Sequence, residues 1–98
     1  MDRRRILYAE FTATSGNEDR VAELVRSLAE RVRAEPGNLV FAASRKRENP
    51  AEFFVYEEYA DADAFEAHIG ADYGVEFNRR LAALVEGGGS ALTWLDAL

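Results

Sequence analysis

Two segments of this chain, Leu39-Val40-Phe41-Ala42-Ala43 and Phe53-Phe54-Val55-Tyr56, are apolar at adjacent positions. A strand points successive side chains to opposite sides of its sheet, so apolar neighbours in a row need cover on both faces. The chain's own helices can cover one face. The other calls for a partner, and burying one large apolar side chain is worth about 1.5–3 kcal/mol, so several bare together favour association. A homodimer packed sheet to sheet is therefore expected, because a twofold axis lets one patch serve both subunits. The alternative is a curled sheet whose far face is covered in part by the last short helix.

The 98 residues suit one domain spanning 1–98, and a chain of this size buries roughly two thirds of its surface on folding. With 12 basic against 18 acidic residues and a net charge of −6, attraction to phosphate backbones or anionic lipid is disfavoured, so no nucleic acid partner is expected. The absence of cysteine excludes disulfides, thiolate nucleophiles and thiolate metal sites, and fits a reducing compartment. Met1-Asp2-Arg3-Arg4-Arg5 is basic, but an apolar-polar alternation follows it and not the unbroken apolar run of an export signal. No stretch approaches the roughly 20 apolar residues of a membrane helix. A cytoplasmic protein with no membrane partner is expected.

Ile6 to Ala13 alternates as a first strand, with Leu7, Ala9, Phe11 and Ala13 on one side. Ser15 and Glu18 have capping-box spacing, with Asn17 as a competing cap, ahead of Val21, Leu24, Val25, Leu28, Ala29 and Val32 at helical intervals. That helix ends near Glu35, where Pro36 and Gly37 stop it. Leu39 to about Lys46 and Phe53 to Tyr59 form a strand hairpin across the Glu48-Asn49-Pro50 turn. Asp61 caps a short helix through Ile69 that Gly70 terminates, and Asp72 caps another with Phe77, Leu81, Leu84 and Val85 as its stripe. After Gly87-Gly88-Gly89, a last strand at Ala91 to Leu95 completes β-α-β-β-α-β with the second helical segment broken in two. This is α+β, ferredoxin-like connectivity: an antiparallel sheet with its helices on one face.

Glu35-Pro36-Gly37 after an amphipathic helix, the strand ending Val55-Tyr56-Glu57-Glu58-Tyr59, then Ala64-Phe65-Glu66-Ala67-His68-Ile69 and Phe77 together resemble the antibiotic biosynthesis monooxygenase family, in its quinol monooxygenase-like form. The resemblance covers nearly the whole chain. It implies a dimeric α+β barrel, known in members that oxygenate quinols or anthrone-type polyketides without metal or prosthetic group; other members degrade haem. Haem-degrading relatives are expected to carry asparagine, tryptophan and histidine where this chain has Phe11, His68 and Asn78. All three differ, which argues against haem. Of the residues expected in anthrone-oxygenating relatives, Tyr59 and Arg79 are plausible equivalents, whereas Val55 and Phe65 depart from the pattern. Tyr73 stands where quinol-oxygenating relatives often have a second histidine. The resemblance thus makes His68, Tyr59 and Arg79 the candidate catalytic residues, and Tyr73, Phe65, Phe11 and Val55 the candidate substrate contacts.

His68 is the sole histidine, so any metal site would rest on carboxylates and one imidazole, and no His-Glu-x-x-His spacing exists. Neither metal nor other cofactor is expected. As a base, an imidazole near pKa 6.5 facing a phenol near 10 lifts the proton about 3.5 units, or roughly 5 kcal/mol, which turnover tolerates. Arg79, if it faces the pocket, stabilises the phenolate. An electron-rich phenolate can then reduce dioxygen directly. The plainer reading of His68, a helix residue bonded to a carbonyl or water, stays open. Tyr59 and Tyr73 can equally be packing residues.

Other features carry less. Glu57 and Glu58 are neighbours on a strand, point to opposite faces and cannot act as a pair. Arg45-Lys46-Arg47 reads as a solvated hairpin tip, the triple glycine as a turn outside any phosphate-loop context, and Trp94 as packing. The serines lack a nucleophile-elbow sequence. The expected function is a cofactor-independent monooxygenase acting with dioxygen on a hydroquinone or polycyclic phenol. A noncatalytic dimeric ligand-binding or signalling module, and an isomerase or lactone-processing enzyme, are the alternatives on the same fold.

Overall fold

A computed structural model describes residues 1–98. The elements run β1 (Arg5–Thr12), α1 (Glu18–Arg33), β2 (Asn38–Arg45), β3 (Glu52–Tyr59), α2 (Ala62–Ile69), α3 (Asp72–Ala82), a 3-10 turn (Glu86–Gly88) and β4 (Ala91–Leu95). The strands form one antiparallel sheet in the order β2-β3-β1-β4, the ferredoxin-like α+β topology expected from the connectivity. No helix is long and apolar enough to cross a membrane.

Strand alternation decides which side chains meet the helices. Leu7, Ala9 and Phe11 of β1 lie opposite Glu57, Val55 and Phe53 of β3 and share one face with them. Phe11 and Phe53 stack with ring centroids 5.5 Å apart. Onto this face α1 lays Val21, Ala22, Val25, Ala29 and Val32, and α3 adds Leu81, closing one core.

Two helix starts differ from the expected capping. Asn17 occupies the cap position of α1, its carbonyl accepting from the Val21 amide at 2.9 Å but its side chain making no cap bond, and Ser15 forms no box with Glu18. The Asn17 side chain instead donates to Thr14 Oγ1 at 2.8 Å, and Thr14 Oγ1 donates to the Leu84 carbonyl at 3.1 Å, tying this turn to the end of α3. Asp72 is the first residue of α3, not its cap, and leaves Ala71 in that place. Its carboxylate still suits the positive end of the helix dipole. Asp61 caps α2 as expected, accepting from the Ala64 amide at 2.8 Å.

The opposite face carries the second apolar set. Ile6, Tyr8, Val40, Phe54 and Tyr56 point away from the helices, with Tyr8 across from Tyr56 and stacked on Phe54 at 4.9 Å. In the adjacent apolar run of β3, Phe53 and Val55 are therefore inward and Phe54 and Tyr56 outward. Glu58, which receives Arg4 at 2.8 Å and the Tyr56 hydroxyl at 2.7 Å, borders the outer patch. At the hairpin tip Lys46 pairs with Glu52 at 2.8 Å, in an exposed turn.

Gly37 sets the position of α2. A Cβ at Gly37 would stand 2.3 Å from the Ala64 Cβ and 3.2 Å from its Cα, so α2 rests directly on glycine backbone. The Gly37 carbonyl also accepts from the Ala60 amide at 2.9 Å. Gly37→Ala forces this contact apart and is expected to cost about 1–3 kcal/mol. Urea unfolding should show a lower midpoint at unchanged slope; an unchanged midpoint would mean that α2 moves aside freely.

Candidate active site

Between the helix-facing side of the sheet and helices α2 and α3 lies a cavity of about 310 Å³. Leu7, Phe11, Phe41 and Val55 form its sheet wall, while Phe65, Phe77 and Leu81 face them from the helices. Exposed Gly88, Gly89, Ser90 and Leu92 form the rim beside β4. The lining is predominantly apolar, and the polar side chains within it include Glu57, His68 and Asn78.

Glu57 enters this interior because it is in phase with Phe53, Val55 and Tyr59 on the inward face of β3. It lies between Leu7 and Phe41 on the flanking strands and is only 6% exposed. The Tyr59 hydroxyl donates to Glu57 Oε1 at 2.6 Å, and His68 Nε2 stands 3.8 Å from the same oxygen. On the other edge of the imidazole, Nδ1 lies 3.2 and 3.1 Å from the two oxygens of Glu35. The two carboxylates thus flank opposite nitrogens of one ring and do not converge on a common point. The Tyr73 hydroxyl donates to Glu35, and the Arg31 guanidinium covers the Tyr73 ring at 4.6 Å.

Burial of Glu57 away from water raises its carboxyl above the ordinary value. The Tyr59 hydrogen bond and the His68 charge oppose that rise, while the Glu35 charge adds to it. Burial, followed by the neighbouring Glu57 charge and its hydrogen bond, pushes the Tyr59 phenol far above the usual range. Tyr59 is therefore a fixed proton donor to Glu57.

The expected site residues separate into three groups. His68, Phe65, Phe11 and Val55 line the cavity. Tyr59 is fully buried behind the lining, its ring 4.7 Å from that of His68, and acts on the cavity through Glu57. Tyr73 lies outside the lining and reaches the site only through Glu35. Arg79 is not at the cavity at all: its side chain is 70% exposed, bonded to Glu76 at 2.5 and 2.9 Å, in a surface groove between α1 and α3. The turn of α3 that directs Asn78 and Leu81 to the cavity directs Arg79 outward.

Two members of the site, Glu57 and Glu35, are absent from the residues expected to be functional. The signal for Glu57 was present, a carboxylate in register with core positions of an alternating strand. Glu35 has no such signal, since it sits in the irregular turn after α1 and meets His68 only when α2 folds back over Gly37.

The chain matches the family model described as antibiotic biosynthesis monooxygenase over residues 5–87. No curated protein matches it. Among solved structures, PA3566 of Pseudomonas aeruginosa is 26% identical and superposes with a TM-score of 0.90, over 100% of this chain and 97% of that one. A structure described as an antibiotic biosynthesis monooxygenase is 22% identical with a TM-score of 0.88, covering 96% of this chain and 98% of that one. SO0527 of Shewanella oneidensis is 20% identical with a TM-score of 0.85, covering 97% and 93%. The two structures of lower identity share the fold, and the family match over residues 5–87 carries the assignment: this chain belongs to the antibiotic biosynthesis monooxygenase family.

Proposed function

We propose that this protein is a cofactor-independent monooxygenase that oxidises a hydroquinone, polycyclic phenol or anthrone-type substrate with dioxygen. Family membership supports a monooxygenase role in general. The observation that carries the finer reading is the sole imidazole beside a buried carboxyl at the wall of an apolar, aromatic-lined cavity. Such a cavity takes a flat apolar ring system, and a base at its wall takes the proton that makes the ring electron-rich.

In this reading His68 removes the acidic hydrogen of the bound substrate, and the imidazolium formed lies between Glu35 and Glu57. Asn78, not Arg79, is the α3 side chain in the lining that can donate to the developing oxyanion. The substrate anion gives one electron to dioxygen, and the resulting radicals combine in a carbon–peroxide bond. The proton held by His68 returns to the peroxide. The O–O bond then breaks as the carbon loses its remaining hydrogen, giving one carbonyl and one water. For an anthrone-type substrate a methylene carbon and dioxygen balance against that carbonyl and water; for a hydroquinone or phenol the hydroxyl hydrogen removed by His68 and the hydrogen of the oxygenated ring carbon supply the water, so no external reductant enters.

The outer face supports a homodimer in which Tyr8, Phe54 and Tyr56 of two subunits pack together, and the lack of cysteine suits a cytoplasmic setting. Sedimentation equilibrium is expected to give twice the chain mass, and Phe54→Glu to give monomers. A wild-type monomer at micromolar concentration would reject the dimer.

Oxygen uptake with reduced naphthoquinols and anthrones, against the spontaneous rate, tests the activity directly. His68→Ala should slow turnover by about 10²–10⁴-fold. No uptake above the spontaneous rate across several such substrates overturns the oxygenase reading, and tight binding without uptake would make the protein a ligand-binding module.

Glu57 also leaves a signature in stability. Its folded value lies above the ordinary 4.5, so the folded state keeps this proton to higher pH than the unfolded state. Its contribution to stability falls as pH rises from about 4.5 through the raised value. Urea unfolding between about pH 4 and 8 should therefore show a shallower decline for Glu57→Gln than for wild type. Parallel curves would mean that the carboxyl is as well solvated as in the unfolded chain.

A further inference from the structure

We propose that Glu35 is the positioning residue of the site: it holds His68 in the Nδ1–H tautomer, leaves the Nε2 lone pair for the substrate proton, and is itself anchored by Tyr73. Its part in turnover rests on the oxygenase reading, but the tautomer does not. A neutral imidazole carries one hydrogen, and the partner of one nitrogen decides what the other can do. A carboxylate only accepts. With both Glu35 oxygens within 3.2 Å of Nδ1, the hydrogen resides on Nδ1.

At Nε2 the nearest carboxylate oxygen, on Glu57, is 3.8 Å away and already receives the Tyr59 hydroxyl at 2.6 Å. That separation is beyond a hydrogen bond. Nε2 therefore keeps its lone pair on the ring edge opposite Glu35, beside Glu57. This is the reverse of the tautomer that an unconstrained histidine side chain favours, so something must impose it.

Glu35 can impose it because its own position is fixed from the far side. The Tyr73 hydroxyl donates to Glu35 Oε2, and Arg31 holds the Tyr73 ring at 4.6 Å. The His68 and Glu35 side chains are 16% and 18% exposed, which limits competition from water. The groups facing His68 are Glu35 from the turn after α1, Glu57 and Tyr59 from β3, and Phe65 from its own helix. Neither carboxylate contacts the ring through the other's nitrogen. Glu35 thus supplies orientation, and Glu57 supplies a second negative group at the nitrogen that reacts.

A single histidine makes the tautomer directly readable. Protein labelled with nitrogen-15 histidine gives one imidazole, whose long-range proton–nitrogen correlations at a pH where the ring is neutral identify the protonated nitrogen. Wild type should show Nδ1–H. Glu35→Ala should move the ring toward Nε2–H, whereas Glu35→Gln, which keeps an acceptor oxygen, should retain more of the wild-type form. In turnover Glu35→Ala should lower kcat by about 10–100-fold while KM stays within about twofold, because Glu35 does not line the cavity.

A wild-type Nε2–H signal overturns the proposal, even if a variant fails to fold. An unchanged tautomer in folded Glu35→Ala overturns it as well. The spectrum needs neither substrate nor oxygen, so a protein that takes up no oxygen but shows the Nδ1–H form rejects the oxygenase reading alone. Normal kcat in Glu35→Ala would reject the positioning role alone.

Discussion

A carboxyl group placed between Leu7 and Phe41 beneath an apolar cavity is costly unless its surroundings answer for it, and Glu57 is answered on two sides. Tyr59 supplies a hydroxyl that burial keeps protonated, and His68 supplies a ring that can carry the opposite charge. Tyr59 and Glu57 are thereby bonded within β3, and the His68 ring of α2 is brought to within 3.8 Å of the same carboxyl. Tyr59 ends β3, and His68 lies near the end of α2, so the polar cluster fixes how that helix approaches the sheet. Gly37 makes the approach close enough, since any side chain there would collide with Ala64.

The element order, the sheet plan and the alternation of β1 were legible because each rests on a local period or a turn residue, whereas the inward side of β3 was not, since Phe53-Phe54-Val55-Tyr56 is apolar on both faces. The alternation from Leu7 to Phe11 states its own phase, and Asp61 states a helix start. The capping of α1 was not legible. Asn17 is diverted to Thr14 and Thr14 to Leu84, a residue far along the chain, and no local pattern announces such a tie.

The candidate site was legible in its apolar part and in His68, and illegible where it depends on rotation or on long-range meeting. Arg79 sits one residue from Asn78 on the same helix, and that step of about 100° separates the cavity from solvent. Tyr59 was expected at the site and reaches it only at one remove. Glu57 was legible in principle, since a charged residue in the core register of a strand is an anomaly, yet pairing it with outward-facing Glu58 concealed the anomaly. Glu35 belongs to a turn, and turns have no phase from which an inward direction follows.

Arg31 lies in α1, Glu35 follows that helix, His68 belongs to α2 and Tyr73 to α3. One polar chain therefore laces together the ends of all three helices at the place where the imidazole is held. The braces of the helical layer and the supports of the imidazole are the same side chains. A substitution that re-aims the imidazole therefore also loosens the place where the three helices meet.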